Sequence, residues 1–135
     1  MQEFIKSPLE DLIFLEDWED KYEFLIDLGI AMPSLDLKYK VKENQIFGCQ
    51  SRVWLVLEIF NGKLQILGDS DALFTKGLVA LLIAEYNLKT LEEINHLPNL
   101  LEKYNLTQNL SLGRQNGLTA MLNKVGEFVK KQKHS

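Results

Sequence analysis

Arg52-Val53-Trp54-Leu55-Val56-Leu57-Glu58-Ile59-Phe60-Asn61-Gly62-Lys63-Leu64-Gln65-Ile66-Leu67 is the stretch that decides the fold. Its first nine residues are rich in β-branched and aromatic side chains, which suit a pleated, half-buried strand. Asn61-Gly62 is a two-residue turn signal, because both residues tolerate the positive φ that a tight hairpin needs. Lys63 to Leu67 then alternates polar and apolar, the period-2 pattern of a strand with one buried face. The segment therefore predicts an antiparallel hairpin.

Downstream, Gly68-Asp69-Ser70-Asp71 is expected to close the second strand and open a helix, its side-chain oxygens capping exposed amides. Ala72 to Tyr86 is apolar around most of its circumference, which predicts a buried central helix. Thr90-Leu91-Glu92-Glu93 has the spacing of a capping box. A short helix is expected there, with Pro98 opening the next one. Ser111 is placed to cap a last helix running to about Lys130, where Lys124 and Lys130 complement the helix dipole.

Upstream, Ser7-Pro8-Leu9-Glu10 reads as a helix start. At roughly 100° per residue, Leu9, Leu12 and Ile13 fall on one side, and Leu15, Trp18, Tyr22, Leu25 and Ile26 on nearly the other. One straight helix would have to bury both faces, so a break is expected between Leu15 and Asp17. Gly29 and Pro33 are expected to end the second helix. Ser34 to Glu43 shows no period and reads as a connection with a short strand. The whole predicts an α+β fold: a small antiparallel sheet of about three strands packed against several helices. A single domain covering residues 1–135 is expected.

The chain has 135 residues, of which 46% are hydrophobic and 25% charged, enough for a real core. The net charge of −4 lacks the basic footprint of a nucleic-acid-binding domain. No stretch approaches the roughly 18 apolar residues of a membrane span. The N-terminal residues read as neither a signal nor a transit peptide, so a cytoplasmic, reducing location is expected. With one cysteine, neither an internal disulfide nor a cysteine-rich zinc site is expected. No metal and no bound cofactor are expected, and nothing in the patterning demands a dimer, so a monomer is favoured.

That cysteine, Cys49, sits in Phe47-Gly48-Cys49-Gln50-Ser51, just before the hairpin. By composition alone, a lone cysteine is more often a small buried apolar residue. As a thiolate it is the best soft nucleophile among side chains and attacks sulfane sulfur by disulfide-exchange chemistry. Asp69 and Asp71 have a spacing able to hold a cation, but capping explains them equally, and nothing adjacent in sequence adds ligands. Arg52 and Arg114 are able to hold a thiolate or persulfide by charge, or to serve as ordinary surface cations. His96 and His134 are isolated.

Gly48-Cys49-Gln50-Ser51-Arg52-Val53-Trp54, then Gly68-Asp69-Ser70-Asp71-Ala72, then Lys76-Gly77-Leu78 resemble the SufE family of sulfur acceptors, which includes the CsdE-type proteins. Trp18 to Tyr22, Leu28-Gly29, Met32-Pro33 and Arg114-Gln115-Asn116-Gly117-Leu118 extend the likeness over roughly residues 10 to 130. The chain departs from the family pattern at Gln108-Asn109-Leu110, where a histidine is frequent, and at Gly113, where proline is common.

The resemblance implies that Cys49 takes sulfur as a persulfide from a PLP-dependent cysteine desulfurase of the SufS or CsdA type. It implies that the sulfur then passes to an iron–sulfur scaffold, the protein acting as an accessory carrier rather than an independent enzyme. It also implies loop or partner-contact roles for Gly48, Gln50, Ser51, Arg52, Asp71 and Arg114. Delivery to tRNA or cofactor thiolation is the neighbouring alternative, and an interaction module with a structural cysteine is another. A cluster scaffold is disfavoured because it needs several ligands. A dithiol redox protein is disfavoured because Cys49 lacks a resolving partner.

Overall fold

The computed structural model describes residues 9–95 and 99–133. The chain runs α1 (Glu10–Phe14), α2 (Trp18–Ala31), β1 (Val53–Phe60), β2 (Lys63–Ser70), α3 (Leu73–Tyr86), α4 (Leu91–Asn95), α5 (Leu100–Lys103) and α6 (Leu112–Lys133). The readings placed on Ser7, Pro8, His96, Pro98 and His134 lie outside the described residues.

The hairpin forms as its sequence dictates. β1 and β2 pair antiparallel from Val53↔Ser70 to Phe60↔Lys63. Asn61 and Gly62 both take positive φ, 53° and 75°, whose twist matches that of the flanking strands. Two expectations are corrected here. β2 does not stop at Leu67 but continues through Gly68 and Asp69 to Ser70. Among the described residues the sheet has two strands rather than about three. Where a third strand was expected the chain winds into short 3₁₀ turns at Leu37–Tyr39 and Lys42–Asn44, and only Gln45 bridges to Trp54. The far edge of β2 is covered near its start by the turn after α3: Leu64 donates to the Lys89 carbonyl, and Ile66 donates to Asn87 Oδ1.

α3 is the buried centre. From Phe74 to Tyr86 every residue except Lys76 is buried, and the helix packs on the sheet on one side and on α2 on another. The α2–α3 contact is backbone to backbone. A Cβ on Gly77 would lie 2.1 Å from the Leu25 carbonyl oxygen, and one on Gly29 would lie 2.9 Å from the Gly77 nitrogen. Gly29 therefore does not end α2, as its sequence position suggested. The helix runs through it to Ala31, and Met32-Pro33 provides the stop.

The phase change upstream does break the helix. Leu15 and Asp17 are extended, so Leu12 and Leu25 each reach zero exposure from separate helices. Thr90 and Glu93 exchange the two bonds of a capping box, 2.9 and 3.2 Å. Asn99 caps α5, and Ser111 Oγ accepts the Arg114 N–H at the start of α6, which extends slightly past Lys130. No described helix is long and apolar enough to cross a membrane.

Candidate functional site

The Gly48–Arg52 loop leads into β1 and lies against the start of α6. Gly48 has φ 97°, a conformation that side-chain-bearing residues rarely adopt, and this turns the chain so that Cys49 faces inward. Cys49 is half-buried against the edge of the core. Its Sγ donates weakly to the Gly117 carbonyl of α6 at 3.7 Å. Glycine at 117 lets the sulfur come this close, because a Cβ there would stand 3.3 Å from Sγ and push it outward by a few tenths of an ångström. Burial pushes the Cys49 thiol pKa up, so the resting side chain is a protonated thiol.

Cys49 lines a small pocket of about 60 Å³ with Gln50, Ser51, Ala72, Thr75, Leu78, Gly113, Arg114, Gly117 and Met121. Of the residues singled out in the sequence, Cys49, Gln50, Ser51 and Arg114 meet here. Gln50 folds over the first turn of α6, where a Cβ on Gly113 would come to 2.4 Å of its Nε2. Glycine at 113 is thus what lets Gln50 lie flat. Ser51 Oγ is 3.4 Å from Thr75 Oγ1. The Arg114 guanidinium lies 4.3 Å from the centre of the Phe74 ring, a cation–π seat at the pocket's rim.

Arg52 and Asp71 stand beside this pocket rather than in it. The Arg52 backbone N–H and its Nε donate to the two Asp71 carboxylate oxygens, at 3.0 and 2.9 Å. The Arg52 side chain beside Asp71 holds that carboxyl below the usual range. The pair ties the end of the Cys49 loop to the segment between β2 and α3.

Asp69 and Ser70 do not cap α3 as expected. Ala72 is the N-cap and makes no side-chain cap bond. Because β2 continues through position 69, Asp69 is buried and accepts the N–H groups of Leu35 (2.9 Å) and Ser70 (2.8 Å). It also pairs with Lys40 (3.2 Å) and Lys76 (3.6 Å). Burial raises its pKa, but these donors and cations outweigh burial and hold it low. Asp69 is thus an anchor for the connection after α2. Ser70 Oγ donates to the Arg52 carbonyl at 2.8 Å and accepts weakly from Ala72 N–H. Among the described residues no group of three His, Cys, Asp or Glu side chains is placed to hold a metal ion.

A larger cavity of about 430 Å³, lined by residues such as Met32, Leu35, Tyr39, Ile66 and Ile83, includes no residue of the Cys49 loop. The chemistry-bearing pocket is the smaller one. The sequence motifs held Gly117 without marking its role, and nothing in them pointed to Thr75, a hydroxyl on the buried side of a mostly apolar helix.

Comparison with known proteins identifies the family of the chain. The model of the SufE family, described as an Fe–S metabolism associated domain, matches residues 6–129. An uncharacterized SufE-like protein of Rhizobium etli is 40% identical over 128 residues, covering 90% of this chain and 86% of that one. A second uncharacterized SufE-like protein, of Rhizobium meliloti, is 34% identical over 123 residues, covering 87% and 88%. The solution structure of a hypothetical protein from Thermus thermophilus superposes with a TM-score of 0.76 at 21% identity, over 94% of this chain and 93% of that one, and so shares the fold. On the family match and the two relatives together, this chain belongs to the SufE family, a family associated with iron–sulfur metabolism.

Proposed function

We propose that this protein accepts a sulfur atom on Cys49 from a PLP-dependent cysteine desulfurase and carries it as a persulfide toward iron–sulfur cluster assembly. The observation that carries the proposal is the seat of Cys49: the chain's sole thiol, on a loop, half-buried in a pocket against Gly117. A structural cysteine has no need of a pocket with hydroxyls and an arginine around it.

The chemistry is thiol–disulfide exchange. The Cys49 thiolate attacks the outer sulfur of the donor's persulfide. A new S–S bond forms on Cys49, the donor's S–S bond breaks, and the donor cysteine leaves as a thiolate that takes up a proton. No external oxidant is consumed. Because burial favours the protonated thiol, attack requires Cys49 to leave Gly117 and enter a more polar or electropositive setting. The resting position thus withholds the nucleophile from stray electrophiles until a partner draws it out.

Intact mass after incubation with a cysteine desulfurase and free cysteine tests this. One added sulfur is expected on the native chain, removable by a thiol reductant, and none on Cys49→Ser. Stimulation of the desulfurase should vanish with the same substitution. An unchanged mass with desulfurases of both the SufS and CsdA types would overturn the proposal and favour the interaction module.

A further inference from the structure

We propose that the Thr75 hydroxyl, together with Ser51, seats the outer sulfur of the Cys49 persulfide. This rests on Cys49 being the sulfur acceptor and adds a residue to that role.

Thr75 is out of place as a packing residue. It is 8% exposed, on a helix whose other buried face is built from Phe74, Leu78, Val79, Leu81 and Leu82. Threonine is a poor helix former, and a buried hydroxyl costs free energy unless it is bonded. The bond it makes, to Ser51 Oγ, is 3.4 Å long, near the limit for two hydroxyls. Two weakly paired hydroxyls therefore line the pocket that Cys49 also lines.

A persulfide adds one sulfur about 2.05 Å beyond Sγ. A pocket of about 60 Å³ has room for it, since a water-sized occupant takes roughly 10–15 Å³ of such space. The outer sulfur of an ionised persulfide is an acceptor and carries the charge. The neighbour that holds Sγ, the Gly117 carbonyl, is itself an acceptor and gives it nothing. Ala72, Leu78 and Met121 offer no strong donor side chains. Of the two other donors in the lining, the Gln50 amide lies over Gly113 and the Arg114 guanidinium is seated on the Phe74 ring at the rim. Hydroxyls rotate to donate, and giving up a 3.4 Å bond to each other costs little. The resting thiol leaves this pair to itself, whereas the persulfide recruits it. The narrow pocket shields the outer sulfur from bulky thiols while the hydroxyls hold the charge.

The persulfide can be made without any desulfurase. Converting Cys49 to a thiopyridyl mixed disulfide and adding sulfide releases pyridinethione and leaves Cys49–S–SH. Its loss is then followed with cyanide, in which the outer sulfur leaves as thiocyanate and Cys49 returns as a thiolate. The near-isosteric Thr75→Val should shorten the persulfide lifetime about tenfold, the order expected for one hydrogen bond to a charged group. Thr75→Ser, which keeps the hydroxyl, should restore most of it, and Ser51→Ala should show a smaller loss.

Alkylation of the unmodified Cys49 thiol should stay the same in all three, which packing damage would not permit. A Thr75→Val lifetime within twofold of native, or Thr75→Ser decaying as fast as Thr75→Val, would overturn the proposal. Faster decay in Thr75→Val, with no sulfur accepted from any desulfurase, would support the seat and reject the donor.

Discussion

The sulfur of Cys49 sits 3.7 Å from the Gly117 carbonyl, and a single methyl group on Gly117 would come to 3.3 Å of it. One helical glycine therefore sets how deeply the thiol rests. Gly117→Ala should push the Cys49 loop outward and raise the rate of thiol alkylation several-fold. Alanine is the better helix residue by roughly 1 kcal/mol, so the melting temperature should not fall. Iodoacetamide kinetics with a thermal melt on the same sample checks both. A lower melting temperature with unchanged alkylation would mean that the helix, not the loop, yields.

Burial raises the Cys49 pKa, which gives a signed pH dependence. The folded thiol should alkylate with a midpoint above the roughly 8.5 of a free cysteine. The urea-unfolded protein should titrate at the ordinary value and react faster at pH 7.5. By linkage, the raised folded pKa contributes stability that is full below the unfolded pKa. That contribution is lost as pH rises through the folded one. Cys49→Ser should remove this alkaline decline from the stability profile. A folded midpoint below 8.5 would contradict the buried resting position.

Asp69 carries the opposite sign. Its pKa is lowered, so its contribution is present above the unfolded carboxylate pKa and is lost as pH falls through the folded value. Asp69→Asn removes the partner of Lys40 and Lys76 and should cost about 3 kcal/mol at neutral pH, with the loss shrinking toward pH 3. Urea titrations at pH 7 and pH 3.5 on both chains check it. A constant difference would show that the carboxylate charge is not what matters.

Gly77→Ala forces a methyl group to 2.1 Å of the Leu25 carbonyl oxygen, a backbone atom with no rotamer to escape into. The expected loss is about 3 kcal/mol in urea unfolding, the upper part of the overpacking range. Gly126→Ala, where nothing lies within 4 Å, is the control and should be neutral or stabilising. Equal effects at the two positions would show that close helix packing is not the cause.

The sequence by itself determined the local structure, because local structure answers to local rules. Asn61-Gly62 specified the hairpin, the phase change at Leu15 to Asp17 specified two helices, and the Thr90/Glu93 pair specified a cap. The Gly48–Trp54 and Gly68–Ala72 blocks carried the family resemblance. Only the tertiary structure decided what depends on contacts between distant segments. Asp69 looked like a cap from its neighbours. It became a buried anchor because β2 runs three residues further, to Ser70, and turns the Asp69 carboxylate toward Leu35 and Lys40. Gly29 looked like a helix end and proved to be a crossing point, because its partner, Gly77, lies 48 positions further on. The third strand shrank to a bridge because the 3₁₀ turns take up its backbone bonds. The pocket around Cys49 joins a loop, α3 and α6, and the meeting of Ser51 with Thr75 and of Cys49 with Gly117 exists only once those three pack. Sequence spacing carries no signal for such a meeting, since side-chain chemistry acts over a few ångströms and these partners are 24 and 68 residues apart.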